Sequence, residues 1–116
     1  MKKVIVTGGL GFIGSNLIKI LKKKYFVVNI DKVTYASNYK NIDPKIKNYK
    51  FYKQNINNKF FIKKILKKYS PSIIFNLAAE THVDRSIDGP KKFIESNILG
   101  VFNLLEAIRD YKKKLN

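Results

Sequence analysis

The chain has 116 residues, which by length is one domain or a part of one. It contains no cysteine, so disulfides and thiolate zinc sites are excluded, and we predict no metal site. The net charge is +16, but its cations are lysines spread along the chain apart from Arg85 and Arg109, which disfavours specific nucleic-acid recognition because arginine is the residue that best reads bases.

The N-terminus resembles a signal peptide only in its charged start, MKK, and in the apolar residues that follow. Ser15, Asn16 and Lys19 interrupt the apolar run, and no small-x-small cleavage site follows it. The same residues exclude a membrane span here, which needs about 20 mostly apolar residues. We therefore expect a soluble cytoplasmic domain with no membrane partner.

Four segments have the β-branched and aromatic composition of short strands. The first, Lys3 to Thr7, is continuously apolar at its centre, as expected for a strand buried on both faces. The other three are YFVVNI, YKFYK and SIIFNLAA, at residues 25–30, 49–53 and 72–79, and we predict that the last is buried as well. The polar segment 33–48 is predicted to be a loop with a helical turn.

Three segments carry apolar residues at helical spacing. The helix after the first strand has the predicted inward stripe Ile13, Leu17, Ile20 and Leu21. A second helix over 58–70, which Pro71 ends, has the predicted apolar face Phe61, Ile62, Ile65, Leu66 and Tyr69. A long helix from Pro90 to about Lys113 has the predicted stripe Ile94, Ile98, Val101, Leu105 and Ile108.

The order of elements is β-α-β-β-α-β-α. This alternation predicts an α/β fold with right-handed crossovers and a parallel sheet. The predicted fold class is a partial Rossmann fold, a doubly wound parallel sheet with strand order 3-2-1-4, truncated after the last helix.

Three glycines spaced by three, Gly8, Gly11 and Gly14, lie where the first strand ends and the first helix begins. In such a turn the first glycine permits a tight bend, the second lets the backbone approach a ligand, and the third lets the helix lie close to the sheet. The N–H groups around Phe12 and Ile13 then face an anion at the positive end of the helix dipole. The pattern predicts a phosphate-binding turn.

Asp31 ends the second strand, at the distance from this turn where a carboxylate accepts both ribose hydroxyls of an adenosine. A carboxylate there repels a 2′-phosphate, which favours NAD over NADP as the cofactor. The alternative interpretation of Asp31 is a helix cap or a turn residue. Together with the glycine turn, it predicts that residues 1–116 are the N-terminal part of an NAD-binding domain.

The stretches TGGLGFIGSN, DKVTYASN and NLAAETHVDRSIDGPKKFIESNILG are more specific than a general dinucleotide pattern. They resemble the dTDP-glucose 4,6-dehydratase family of extended short-chain dehydrogenase/reductases. The resemblance covers essentially the whole chain. It implies a lyase of nucleotide-sugar metabolism in which hydride leaves C4 of the sugar, water is lost across C5 and C6, and the hydride returns at C6.

The resemblance also implies residue roles on the adenosine half of the cofactor. Phe12 and Ile13 meet the pyrophosphate, and the ribose side is lined by Asp31, Lys32, Val33, Thr34 and Ser37. Ser37 stands where the family usually has glycine. Asn55 and Ile56 stand where the family has Asp-Ile, and Asn55 accepts a hydrogen bond from the adenine amino group without the charge.

On the other half, the resemblance places Leu77, Ala78 and Ala79 beside the nicotinamide. Thr81 replaces the family's usual serine and keeps a hydroxyl that reaches toward the cofactor and the substrate sugar, and Ser96 replaces a usual threonine near the cofactor. His82, the only histidine, lies in the loop that borders the sugar pocket, where it is a substrate contact. By residue type alone it is a surface residue.

No catalytic residue is predicted in this chain. The family's base is the tyrosine of a Tyr-x-x-x-Lys pair, and its dehydration acid and base are an Asp-Glu pair. Tyr49 precedes Lys53 at this spacing, but both lie on the third predicted strand, on the adenosine side. We therefore expect an inactive part of a larger enzyme that binds a nucleotide sugar and forms a homodimer when complete.

Three alternatives remain open from the sequence. The chain could belong to another extended reductase, such as a UDP-sugar epimerase or decarboxylase. It could be a non-catalytic NAD-binding module. The high lysine content also leaves a non-specific nucleic-acid binder as an alternative.

Overall fold

The computed structural model describes residues 1–33, 39–78 and 90–115. These residues form a four-stranded parallel sheet with the strand order β3-β2-β1-β4. The strands are β1 (Lys3–Thr7), β2 (Phe26–Asp31), β3 (Tyr49–Lys53) and β4 (Ile73–Asn76). The predicted fold class and strand order are confirmed.

The helices alternate with the strands as predicted. They are α1 (Phe12–Leu21), α2 (Lys59–Tyr69), α3 (Pro90–Ile94) and α4 (Gly100–Leu115). A π-helical segment, Glu95–Leu99, joins the last two. A single 3₁₀ turn, Tyr39–Asn41, lies in the segment predicted to be a loop with a helical turn.

The core lies on both faces of the sheet because successive side chains of a strand point to opposite faces. Val4 and Val6 of β1 face α1, in a cluster with Ile18. Ile5 lies between them and faces α2 and α4, in a cluster with Ile62. These side chains are at most 2% exposed, so β1 is buried on both faces, as its composition predicts.

The fourth strand is not buried as predicted, although it lies at the edge of the sheet where the predicted strand order places it. β4 pairs with β1 on one side only and forms an edge of the sheet that the structure describes. Ile73 is 42% exposed and the strand is shorter than predicted.

The inward face of α1 also differs from the prediction. Its buried residues are Gly14, Ser15, Ile18 and Leu21, whereas Ile13 and Ile20 are 71% and 65% exposed. Successive helix residues are separated by about 100° around the axis. Because Gly14 packs against the glycine turn, its neighbour Ile13 lies on a different side of the helix, where it is exposed.

The long predicted helix is interrupted, and its predicted stripe is only partly correct. Leu104 and Ala107 are buried in the core, whereas Ile98 and Leu105 are about 60% exposed. A π-helical segment contains an extra residue in its turn, so residues on its two sides do not share one face at helical spacing. The sequence contains no simple signal for this interruption.

The second helix matches its prediction closely. Ile62, Ile65 and Leu66 are buried, and Asn58 caps the helix by accepting a hydrogen bond from Phe61 N–H at 3.1 Å. Lys63 of α2 forms an ion pair with Asp110 of α4 at 2.8 Å, which joins the two helices on this face of the sheet.

Tyr69 at the end of α2 shares a hydrogen bond of 2.6 Å with the hydroxyl of Tyr52 on β3. Burial, together with this hydrogen bond, raises the pKa of Tyr69 to about 12. Because the unfolded chain ionises Tyr69 at a lower pH, this group stabilises the fold fully below about pH 10 and progressively less as the pH rises toward about 12.

We expect the free energy of unfolding to fall more steeply between about pH 9.5 and about pH 11.5 in the parent protein than in Tyr69→Phe. Urea denaturation across this pH range measures the difference. Tyr111→Phe, which removes a hydroxyl at the same core cluster, serves as the control. Equal slopes for the parent and Tyr69→Phe would contradict the assignment.

Candidate functional site

The turn between β1 and α1 is held by the carboxyl end of β2. Three successive acceptors, Asn29 Oδ1, Ile30 O and Asp31 Oδ2, receive the N–H groups of Gly9, Gly8 and Leu10 at 2.9, 2.8 and 3.0 Å. The next amide, Gly11 N–H, donates to Gly8 O at 3.3 Å. The first four amides of the turn are therefore all used within the protein.

The amides that can face a ligand begin at Phe12. Phe12 and Ile13 occupy the first turn of α1, whose N–H groups have no acceptor in a preceding helical turn. Gly11 is the N-cap and supplies no side chain, and the first turn contains no acidic residue. This arrangement leaves a positive helix end for an anion, at the two residues that the sequence predicts.

Two of the glycines are required by close backbone contacts. Gly8 has a φ of +71°, and a Cβ there would lie 2.7 Å from the backbone of Leu77 and Ala78. A Cβ at Gly14 would lie 2.4 Å from Gly8 O. Gly14 therefore packs directly on the glycine turn, a closer contact than the helix–sheet packing that the pattern predicts.

Asp31 lies against the glycine turn and is 5% exposed. Its Oδ2 accepts from Leu10 N–H, and its Oδ1 accepts from Val33 N–H at 2.7 Å. The carboxylate is therefore fixed between the glycine turn and the backbone that follows β2. The structure thus brings together the two predicted features, while ribose binding itself stays a prediction.

Val33 has a φ of +62°, which is rare for a β-branched residue. The N–H of Val33 donates to Asp31 Oδ1, so this backbone conformation helps to fix the direction of the carboxylate. Lys32, between the two, is exposed.

The carboxyl ends of β1 and β4 are joined by Thr7, which is fully buried. Its hydroxyl donates to Asn76 Oδ1 and accepts from the N–H groups of Leu77 and Ala78, at 3.1 and 3.3 Å. Leu77 and Ala78 are partly buried, beside the glycine turn, at the strand end where the nicotinamide half is predicted.

Asn55 and Ile56 follow β3, on the other side of the turn. Asn55 Oδ1 accepts from Asn57 N–H at 2.9 Å, which leaves its second lone pair for an adenine amino group. Ile56 is 5% exposed, with its side chain in the core, so only its main chain can contact a ligand.

Several predicted site residues cannot be placed. Thr34, Ser37, Ala79, Thr81 and His82 lie outside the described residues. Ser96 belongs to the π-helical segment, and its side-chain position is also outside the description.

Sequence reasoning missed Thr7, Gly9, Asn29 and Asn41. Asn29 accepts from Gly9 N–H, and Asn41 donates to Leu10 O at 2.7 Å. Thr7 and Asn29 are polar residues within apolar strands buried on both faces, and that contrast is a signal by which they could have been found. Asn41 carries no comparable signal, because it lies in a polar segment.

A family model described as GDP-mannose 4,6 dehydratase matches residues 5–116. The chain belongs to this family. The resemblance inferred from the sequence is confirmed by curated relatives, among them the dTDP-glucose 4,6-dehydratase of Neisseria meningitidis, 42% identical over 99% of this chain and 34% of the relative. The Escherichia coli dTDP-glucose 4,6-dehydratase is 45% identical over 94% of this chain and 31% of its own length. This chain of the GDP-mannose 4,6-dehydratase family thus spans about a third of such relatives.

Solved structures of two activities resemble this family member. The dTDP-glucose 4,6-dehydratase DesIV of Streptomyces venezuelae, solved with NAD bound, has a TM-score of 0.86 at 33% identity, over 95% of this chain and 36% of DesIV. The UDP-glucose 4-epimerase of Thermus thermophilus, in complex with NAD, has a TM-score of 0.83 at 31% identity, over 95% of this chain and 34% of the epimerase. Both support the Rossmann-type fold assigned above.

We expect Gly14→Ala to destabilise the fold more than Gly11→Ala does. The Cβ added at Gly14 meets backbone atoms, so this variant should lose about 1–3 kcal/mol of stability. Gly11 has a φ of −72° and a ψ of 175°, which any residue adopts, so its alanine variant should lose at most about 1 kcal/mol. Urea denaturation of both variants provides the comparison, and equal losses would refute the packing account of Gly14.

Proposed function

We propose that this chain binds NAD as the cofactor-binding part of a dTDP-glucose 4,6-dehydratase. The observation that carries the proposal is the 3.0 Å hydrogen bond from Leu10 N–H to the Asp31 carboxylate. It fixes an acid beside a turn whose following amides face outward from a helix end. A diphosphate and an adjacent ribose need these two groups side by side.

The described residues fit NAD. Phe12 and Ile13 N–H would hold the diphosphate, and the Asp31 carboxylate would hold the adenosine ribose. The fixed negative charge of Asp31 favours NAD over NADP, because a 2′-phosphate there would place like charges together. When bound, NAD supplies a hydride acceptor and donor, while this chain binds and orients it.

The same proposal assigns the chain's place in an enzyme. Residues 1–116 would be the N-terminal part of an NAD-binding domain in a cytoplasmic lyase of nucleotide-sugar metabolism, with a dTDP-sugar as substrate. The catalytic residues would come from other segments of the enzyme, and Thr81 and His82 would contact the sugar. The relatives named dTDP-glucose 4,6-dehydratase support this choice.

A UDP-sugar epimerase is the second candidate. Epimerases of Thermotoga maritima and Thermus thermophilus are among the solved structures that resemble the chain, at TM-scores of 0.85 and 0.83. The glycine turn and Asp31 serve both activities equally. The dehydratase is preferred because curated relatives that are 42% and 45% identical to the chain carry that name.

A homodimer is proposed for the complete enzyme. Phe102 and Leu105 lie in a row on α4, three residues apart, and each is close to 60% exposed. Such a row of large apolar side chains is typical of a helix face that another helix covers.

In the described part of the chain, no helix is both long enough and apolar enough to span a membrane.

We expect the parent protein to bind NAD and Asp31→Asn to bind it about tenfold to a hundredfold more weakly. The variant loses a hydrogen bond to a charged group, which contributes about 1.5–3 kcal/mol. The preference for NAD over NADP should also shrink, because the repulsion of the 2′-phosphate is removed. Isothermal titration calorimetry with both cofactors measures these changes, and a thermal melt of each protein controls for folding.

Titration with duplex DNA at about 50 and about 200 mM salt tests the nucleic-acid alternative. Binding driven by lysine charge should weaken by orders of magnitude over this range, whereas NAD binding should change little. The proposal fails if the parent protein shows no saturable NAD binding, or if Asp31→Asn binds NAD as well as the parent.

For the helix face, we expect Phe102→Gln to shift the protein from dimer toward monomer in sedimentation velocity. Burial of a phenylalanine contributes about 2–3 kcal/mol, so the dimer should dissociate at a concentration at least tenfold higher than the parent's. Phe60→Gln is the control, because Phe60 is 81% exposed on α2, on another helix. An effect of equal size in both variants would contradict a specific interface.

A further inference from the structure

A chain of side-chain hydrogen bonds connects β3 to the glycine turn through the interior of the sheet. Asn29 of β2 is fully buried, and its Oδ1 accepts from Gly9 N–H at 2.9 Å. Its Nδ2 donates to the hydroxyl of Tyr49 on β3, also at 2.9 Å. Tyr49 is itself 7% exposed, so both bonds lie in a region with little access to water.

The direction of the Asn29 amide is set by its two partners. Gly9 N–H can only donate, so the amide oxygen must face it and the NH₂ group must face β3. The Tyr49 hydroxyl is the acceptor that satisfies this NH₂ group. Without it, a buried donor would lose its partner, and rotation of the amide to find another would withdraw the acceptor from Gly9.

The contact between Asn29 and the turn is close enough to select the residue at position 9. A Cβ at Gly9 would lie 2.2 Å from Asn29 Oδ1 and 2.5 Å from Ile18 Cδ1. This glycine is therefore required by the buried amide and the helix beneath it, rather than by a ligand. The glycine turn thus packs closely against Asn29 at Gly9, just as it packs closely against the residues after β4 at Gly8.

The cavity beside Tyr49 has, among the described residues that line it, no other polar side chain that could replace its hydroxyl. Tyr49 lines a cavity of about 210 Å³ together with Leu10, Ile42, Pro44 and Phe51, and among these five residues only Tyr49 has a polar side-chain group. Burial raises the pKa of Tyr49, its hydrogen bond with Asn29 partly opposes this, and the negative charge of Asp31 adds to the rise. The hydroxyl therefore stays protonated and neutral at physiological pH.

We propose that Asn29 and Tyr49 are positioning residues that hold the glycine turn in the conformation that receives a dinucleotide diphosphate. Neither residue contacts the ligand. Tyr49 orients Asn29, Asn29 holds Gly9 N–H inward, and the turn then directs the amides of Phe12 and Ile13 outward. This inference rests on the proposed NAD binding and extends the site to the third strand.

Tyr49→Phe tests the proposal with the loss of one oxygen atom. Two measurements are made: the dissociation constant for NAD by calorimetry, and the amide hydrogen exchange of Gly9 by NMR without NAD, relative to Val28 at the centre of β2. We expect Gly9 to exchange about threefold to tenfold faster relative to Val28, and NAD to bind about threefold to tenfold more weakly.

Tyr52→Phe is the matched control. It removes the same atom from the same strand, and the lost hydroxyl is bonded to Tyr69 rather than to Asn29. We expect its melting temperature to fall, because a partly buried hydrogen bond is lost, while Gly9 exchange and NAD affinity stay at the parent's values. A merely structural role for Tyr49 would make the two variants alike.

A second variant tests the role of Asn29 directly. Asn29→Ser should raise Gly9 exchange at least as much as Tyr49→Phe, and the double variant should raise it no further, because both changes break one path. Additive effects of the two changes would overturn the proposal. The proposal would also be overturned if Tyr49→Phe matched the Tyr52→Phe control in Gly9 exchange or in NAD affinity.

The exchange measurement keeps this inference separate from the proposed function. If the parent protein binds no NAD, the proposed function fails. The inference about a cofactor site then fails too, even if Tyr49→Phe raises the hydrogen exchange of Gly9. If the parent binds NAD but Tyr49→Phe binds it equally well, the inference alone fails and the proposed function stands.

Discussion

The fold at the functional end of the sheet depends on where the first amides of the glycine turn find acceptors. A buried N–H without a partner is costly, and the bend after β1 presents several of them in succession. β2 supplies three acceptors from three successive residues, Asn29, Ile30 and Asp31, one of them backbone and two side chains. Because these amides are satisfied internally, the N–H groups that remain for a ligand begin at the helix start, at Phe12, rather than in the bend itself.

This constraint explains why polar residues occur in strands that are otherwise apolar. Thr7 and Asn29 are fully buried. Burial of a polar side chain is unfavourable unless each of its polar atoms has a hydrogen-bond partner. Thr7 joins β1 to the end of β4, and Asn29 joins the glycine turn to β3 through Tyr49. Among the described residues, no buried side-chain nitrogen or oxygen lacks a hydrogen-bond partner. The site is therefore shaped by buried polar contacts that span the sheet, with the apolar core on both sides.

The sequence predicts the parts of this arrangement that depend on local spacing and on topological rules. The strand order, the helix start at the glycine turn and the approach of Asp31 to that turn all follow from spacing along the chain. The Gly9–Asn29–Tyr49 contacts could not be predicted in this way, because the spacing pattern that marks Asp31 marks neither Asn29 nor Tyr49, and their pairing depends on side chains packed inside the sheet. The inward faces of α1 and of the last helix were also beyond the sequence, since Gly14 and a π-helical segment rotate apolar positions outward.

The position of β1 in the middle of the sheet has a consequence for how the molecule assembles. β1 is the first strand in the chain, yet one of its neighbours, β4, is 69 residues away at the pair Thr7 and Asn76. Closing so large a loop has an entropic cost that must be met before the contact contributes stability, and such non-local pairing slows folding. During synthesis, the side of β1 that meets β4 therefore stays unpaired until most of this chain has left the ribosome. We therefore expect the β1–β2 unit to form before the bridge that Thr7 makes to the end of β4.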